Sequence, residues 1–418
     1  MQNNIPSLTG LRFIAAFCVL VAHALPKIIP LPNGQEPSLL YAFLGQISAE
    51  GMSLFFVLSG FVIHYNYSEQ IQCGGSGLFN FFVARFARLY PLYLACLAFE
   101  LLTKYSYSQT PASLSDALPY YLLMLQSWFY IPFGDNALIY QFGLMPSVAW
   151  SISTEWFFYC VYPLICFGLT RLPRISDKLR AAFVISFAAI GLVIGGSFSA
   201  NSLNTYAVDH FGPVADMNTH WQDSFIRWLL YFSPYSRVFE FIIGCLCASI
   251  YMAWSSAPMT RTEQWTGVGA LWAAIAVTAG LHVLYFFPTS SIHIARLQWL
   301  SMSFGFAPTI AVIIFCCARY KTQLSRQLSS KRILLCGEAS YSIYLLHLPV
   351  IFAFRWEAAP FFSIRELVGD GLRFGMTMLS VIGLSLVVWS LVEVPARRYI
   401  RRFMLTAAAS RIQIAALQ

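Results

Sequence analysis

Charge is what this sequence has least of. Asp, Glu, Lys and Arg make up 11% of its 418 residues, against about 25% in soluble domains. A soluble protein this poor in charge would need all-apolar core helices throughout, so that class is excluded. No cleavable leader is visible either. The first apolar run lacks a basic n-region and shows no small-residue cleavage site before Pro26, so it reads as a retained first span. Ten cysteines are present, but no spacing suits a metal site and no disulfide framework shows. Most lie inside apolar runs, as small buried hydrophobes do. Internal repeats and low-complexity linkers are absent.

What is there is apolar: 58% of residues are hydrophobic and mean hydropathy is +0.63. A bilayer core takes about 20 apolar residues per helix, so the chain has room for roughly ten spans. Its formal charge of +8 would suggest nucleic acid in a soluble protein. Here it fits cytoplasmic loop cations, and no nucleic-acid partner is expected. Eleven apolar runs lie near residues 10–29, 43–65, 81–102, 117–133, 147–169, 181–199, 226–254, 266–287, 297–318, 334–356 and 371–395.

Charge then orients them. "RRYIRRF" (397–403) puts the C-terminus inside, as do the cations of loops 170–180 and 319–332. Loop 200–225, with Asp209, Asp216 and Asp223 and no Lys or Arg, falls outside. Consistency near Arg85 and Arg88 requires that 117–133, a short Pro-flanked aromatic run, does not cross. The expectation is an all-α polytopic transmembrane helical bundle of about ten spans plus one re-entrant or interfacial segment, both termini cytoplasmic. One membrane domain covers residues 1–402, and residues 403–418 form a short cytoplasmic tail.

The first span, "LTGLRFIAAFCVLVAHAL" (8–25), keeps Arg12 and His23 in a greasy context. Eleven residues make three helical turns plus about 20°, so both share a face, roughly 16 Å apart. Arg12 would lie near the cytoplasmic boundary and His23 past the middle of the core. Snorkelling accounts for Arg12 alone and helix packing for His23 alone. Ionisable groups inside spans otherwise line a functional cavity.

An arginine, ten residues and a histidine in the first span resembles the hallmark of the acyltransferase-3 family of integral membrane O-acyltransferases. Six further blocks resemble that family in order: "FFVLSGFVI" (55–63), "FFVARFARLYPLYL" (81–94) with its Arg-x-x-Arg, "VAWSISTEWFFYCVYPL" (148–164), "SRVFEFIIGCL" (236–246), "ASYSIYLLHLPV" (339–350) and "VEVPARR" (392–398). Each alone is weak; together they cover nearly the whole chain. Some members carry a fused extracytoplasmic hydrolase-like domain, and none is expected here.

The resemblance implies transfer of an acyl group, most often acetyl, from cytoplasmic acyl-CoA to a hydroxyl, usually on an extracytoplasmic glycan such as a surface polysaccharide or lipopolysaccharide. The co-substrate is then acetyl-CoA, no metal is required, and the setting is a bacterial inner membrane. Partners would be acyl-CoA, a carbohydrate or lipid-linked sugar acceptor, and membrane lipid. Succinyl donors and small metabolites such as macrolides also occur in the family and stay open.

The chemistry needs a base for the hydroxyl, donors for the oxyanion and cations for the CoA phosphates. His23 suits the first, because imidazole titrates near neutrality. Arg12, Arg85 and Arg88 suit the last, because guanidinium forks match phosphate; ordinary positive-inside charge is the plainer reading of the Arg85 and Arg88 pair. Glu155 lies roughly 12 Å into its span, near His23's depth. It either orients the imidazolium, holds acceptor hydroxyls, or belongs to a structural ion pair. Arg237 and Glu240, at i, i+3, read as a buried pair bracing the bundle. Ser340, Tyr341 and His347 either line the cavity or pack. Glu393 and Arg397 read as a helix-end pair, and His64, His210, His220, His282 and His293 carry no assignment. The rival class is a transporter or flippase of a glycan or lipid, since intramembrane Arg, Glu and His also mark transport pathways.

Overall fold

Apolar runs of this length satisfy their backbone hydrogen bonds only within themselves, which forces helices. The computed structural model describes residues 4–28, 39–106, 111–134, 136–141, 148–255, 257–286, 291–354 and 369–415, and it is all-α apart from one two-residue hairpin. The long elements are α1 (Pro6–Ile28), α2 (Leu39–Gln72), α3 (Gly75–Ser106), α5 (Trp150–Thr170), α6 (Ile175–Phe198), α9 (Pro234–Ser255) and α10 (Arg261–Phe286). Between them lie α4 (Pro111–Leu122), α7 (Ala200–Phe211) and the short α8 (Phe225–Arg227). Then come α11 (Ile292–Gln298), α12 (Ala307–Arg319), α13 (Gln323–Leu328), α14 (Lys331–Glu338), α15 (Ser340–Ala353), α16 (Asp370–Val388) and α17 (Val394–Ala415). Among the described residues, eight helices are long and apolar enough to cross a membrane, and up to ten spans result if two bent pairs each count as one.

Run 117–133 is not one continuous helix, as the expectation of a non-crossing segment requires. It holds the end of the 12-residue α4, a set of turns and the start of the hairpin. Ser127 Oγ bonds Ser153 at 2.9 Å and Thr154 at 3.0 Å, tying the turns to the N-terminal end of α5.

Two expected spans are bent. Run 297–318 breaks by 46° between the 3-10 turn Trp299–Met302 that follows α11 and the start of α12. There Phe304 takes a φ of +61° and its N–H donates 3.0 Å to buried Glu240 Oε1. Run 334–356 breaks by 71° at Ala339, between α14 and α15. π-helical turns at Trp228–Phe232 and Trp389–Glu393 each stand two residues before a proline, Pro234 and Pro395. Proline lacks the N–H that would continue the α ladder, and a wider turn absorbs the mismatch. The C-terminal helix α17 continues through 402–403 without a break.

The bundle is built on α1, α2 and α9. Helices α2 and α9 cross with backbones touching: a Cβ on Gly60 would sit 2.1 Å from Phe241 O, and one on Gly244 would sit 2.0 Å from Val57 O. Small residues let membrane helices approach this closely. Helix α1 packs on α2, α14 and α15, which brings its polar face against the start of α15.

Candidate active site

Arg12 and His23 are both half-buried on α1, and they face two different cavities. The first, of about 70 Å³, is lined by Arg12, Arg85, Arg88, Glu155, Ser340 and Tyr341. The second, of about 300 Å³, is lined by His23, Ser48, Tyr140, Trp150, Arg227 and Tyr231. Met52 and Tyr344 line both, and so stand between them.

Three guanidinium groups and one carboxylate share the first cavity. Arg85 donates to Tyr67 Oη at 2.6 Å and stacks 4.6 Å over that ring. Arg12 and Arg88 make no hydrogen bond or ion pair among the described residues. Glu155 Oε1 accepts from Ser59 Oγ at 2.9 Å and from Tyr159 Oη at 2.5 Å. The structure therefore brings Glu155 to the arginine cavity and not to a hydrogen bond with His23. Depth along the membrane normal is one coordinate, and the side of α5 that carries Glu155 is the side facing Ser59 of α2 and Arg85 and Arg88 of α3. Tyr341 Oη donates 2.6 Å to Leu89 O, and Ser340 is buried beside it.

His347 takes the place beside His23. Its Nε2 lies 2.9 Å from His23 Nδ1, the two rings are within 10° of parallel, and His347 is 1% exposed. The far nitrogen, His347 Nδ1, lies 2.6 Å from Tyr344 O. A carbonyl only accepts, so His347 Nδ1 carries the hydrogen. Neutral His347 then offers a lone pair at Nε2, and His23 Nδ1 must be the donor to it. With both rings neutral, this assignment puts the lone pair of His23 on Nε2, which is the state a general base requires.

Arg237 and Glu240 form an ion pair of 3.0 Å with both side chains fully buried. Glu240 Oε1 also accepts from Ser53 Oγ at 2.7 Å, and Arg237 Nε donates 2.9 Å to Tyr231 O. Glu393 and Arg397 make no ion pair among the described residues. The π turn ending at Glu393 turns its carboxylate inward, where Oε2 accepts from Ser342 Oγ at 2.7 Å. Of the unassigned histidines, His282 meets Glu50 at 2.7 Å on the other side of α2. Among the described residues no cluster of three or more His, Cys, Asp or Glu is placed to hold a metal.

Sequence reading missed two lining residues. Tyr344 sits in the same block as His347 and was visible as a tyrosine one turn before it. Arg227 was absorbed into the start of a span, although it is the first cation after an acidic loop.

A family model described as an acyltransferase domain matches residues 5–392. The chain is similar to Acyltransferase MdmB of Streptomyces mycarofaciens, 28% identical over 83% of this chain and 79% of that protein. It is similar to O-acetyltransferase OatA of Staphylococcus aureus, 25% identical over 83% of this chain and 50% of that one. Peptidoglycan O-acetyltransferase OatA of Listeria monocytogenes is 24% identical over 84% of this chain and 50% of its own length. The chain thus spans about half the length of its OatA relatives. No solved structure matches it.

Proposed function

Because this chain belongs to the acyltransferase-3 family of integral membrane acyltransferases, we propose that it moves an acetyl group from cytoplasmic acyl-CoA to a hydroxyl of an extracytoplasmic glycan, a surface polysaccharide or lipopolysaccharide. The arrangement that carries this reading is the pair of cavities meeting at Met52 and Tyr344, guanidinium groups in one and the lone pair of His23 in the other.

In this reading Arg12, Arg85 and Arg88 hold the phosphates of CoA, and the thioester reaches through between Met52 and Tyr344. The acceptor hydroxyl enters the second cavity and gives its proton to His23 Nε2. Its oxygen adds to the thioester carbonyl, and the tetrahedral adduct collapses with loss of the C–S bond. The departing thiolate takes the proton back from the imidazolium, so the products are the O-acetyl glycan and free CoA. His347 is a positioning residue: its Nε2 accepts from His23 Nδ1–H, which holds the productive tautomer and stabilises the imidazolium. Glu155 fits best as a counter-charge among the arginines. The domain bounds 1–402 and 403–418, with both termini inside, belong to the same proposal.

Purified protein in lipid nanodiscs, supplied with acetyl-CoA and de-O-acetylated surface polysaccharide of its own cells, should release CoA thiol and yield polysaccharide heavier by acetyl. His23→Ala should abolish both signals while acetyl-CoA still binds. Absence of thiol release from the wild type would overturn the enzyme reading and return the transporter; a His23→Ala protein with most of its turnover would overturn the base assignment.

A further inference from the structure

Arg227 is the one permanently charged side chain lining the His23 cavity among its described residues, and the mechanism above gives it no task. It is half-buried at the start of the π-bulged segment before α9. Its Nη1 donates 3.1 Å to Tyr140 Oη and 3.2 Å to Gln222 O, and it also meets the Gln222 side-chain carbonyl. The planar group lies 5.1 Å over the Phe232 ring and 5.9 Å from that of Tyr231. All these partners are neutral. No carboxylate pairs with Arg227 among the described residues. Asp223 feels the charge of Arg227, but its Oδ1 accepts from Ala137 N at 2.7 Å and it makes no ion pair with Arg227 among the described residues.

The bonded nitrogen matters. With Nη1 tied down, the edge made by Nε and Nη2 has no partner among the described residues. That edge presents two parallel N–H donors, the pattern that takes a carboxylate or a phosphate in a bidentate fork. Tyr140, Phe232 and Tyr231 fix the plane of the fork, and Trp150 is a further aromatic residue in the lining of the same cavity. His23 lies in the same cavity.

We infer that Arg227 is an acceptor subsite, and that the acceptor is an anionic saccharide, one whose carboxylate or phosphate docks on the Nε/Nη2 edge while a hydroxyl of the same or the next residue reaches His23. This rests on the proposed acetyl transfer for its chemistry, but the binding claim stands apart from it. The fork sets which glycans enter; His23 sets what happens to them.

The test compares methyl glucuronide, methyl glucoside 6-phosphate and neutral methyl glucoside with the full chain in nanodiscs, by calorimetric binding and by acetyl transfer from acetyl-CoA. One or both anionic sugars should be favoured over the neutral one by about ten- to a hundredfold, the range for a charge-assisted pair. Which of the two leads separates a uronate from a phosphorylated acceptor. Arg227→Gln should bring the anionic-to-neutral ratio to about one, and Arg227→Lys should restore part of it, since charge returns without the fork. Transfer without anionic preference in the wild type, or a preference surviving in Arg227→Gln, overturns the subsite and leaves the transferase intact. Selective binding without transfer upholds the subsite and overturns the transferase. Neither binding preference nor transfer overturns both.

Discussion

Replacing His347 separates its two hydrogen bonds. Asparagine places an amide nitrogen where Nδ1 was, so His347→Asn keeps the donor to Tyr344 O and removes the acceptor facing His23. Glutamine places its carbonyl oxygen where Nε2 was, so His347→Gln keeps the acceptor and gives up the bond to Tyr344 O. If the ring serves to hold the tautomer of His23, the second variant must outperform the first. The interaction at stake is the 2.9 Å contact between His23 Nδ1 and His347 Nε2, which gains ionic character when His23 takes a proton. Hydrogen bonds to charged groups are worth about 1.5–3 kcal/mol, so losing this one lowers kcat by about tenfold to a hundredfold. The carboxylate version of this arrangement is worth about ten-thousandfold when its tautomer is reversed. A neutral acceptor supplies less, and the smaller figure follows.

The assay is steady-state transfer from acetyl-CoA by purified protein. In His347→Asn, kcat should fall by that factor while KM for acetyl-CoA holds, because the donor cavity is lined by other residues. In His347→Gln, most of the loss should be recovered. A packing role for a side chain only 1% exposed predicts the opposite pattern: loss of folded protein in both variants, with no split between kcat and KM. Equal rates in the two variants, or a faster His347→Asn, refutes the tautomer argument.

Other outcomes follow from the same geometry. Arg12→Ala and Arg88→Ala should each weaken acetyl-CoA binding about tenfold or more, measured by calorimetry, because neither guanidinium is engaged by another described residue; unchanged affinity in both would reduce them to topology signals. Arg237→Met should cost about 3–5 kcal/mol by leaving Glu240 charged and fully buried. Arg237→Met with Glu240→Gln should recover much folded yield in detergent, since the amide oxygen still accepts from Ser53 and Phe304; no recovery would mean that the pair does more than neutralise itself. A cysteine at exposed Asp209, with the ten native cysteines removed, should react with an impermeant maleimide in intact cells; labelling only after lysis would invert the layout.

Features confined to one helix were legible in the sequence. Eleven residues of α-helix put Arg12 and His23 on one face, and three put Arg237 and Glu240 in contact at 3.0 Å. Where the helix was not α, the same arithmetic failed: Glu393 and Arg397 are four apart, but the π turn before Pro395 moves the carboxylate onto Ser342. Between helices, the meeting of Arg12 with Arg85 and Arg88 in one cavity was implied by the family resemblance alone, and the other contacts were out of reach. His347 stands 324 residues from His23, and its arrival depends on the 71° break at Ala339, which no proline announces. Glu155 shows the limit of depth arithmetic, since a residue's height in the bilayer leaves its direction around the bundle undetermined.

The wall between the two cavities has one fixed side and one movable side. Tyr344 Oη donates 2.6 Å to Val148 O and accepts from Ser151 Oγ at 2.9 Å, and its carbonyl holds His347. Moving its ring would break both side-chain hydrogen bonds, and its backbone is tied to the base through His347. The Met52 side chain makes no hydrogen bond among the described residues, is 3% exposed and is unbranched, so it adapts to irregular space. On the proposed mechanism, a thioester passing from the arginines to His23 would displace Met52, and control of water leakage would rest on that side chain. Met52→Phe should suppress transfer by much more than it weakens acetyl-CoA binding, because the passage is filled by a ring that cannot fold aside. Met52→Ala should speed hydrolysis of acetyl-CoA in the absence of acceptor, because water then reaches the thioester beside a working base. Thiol release without acceptor reads the second effect directly, and product formation reads the first. Were Met52→Phe to transfer acetyl at the wild-type rate, the donor would reach His23 by another route, and the two cavities would not be halves of one site.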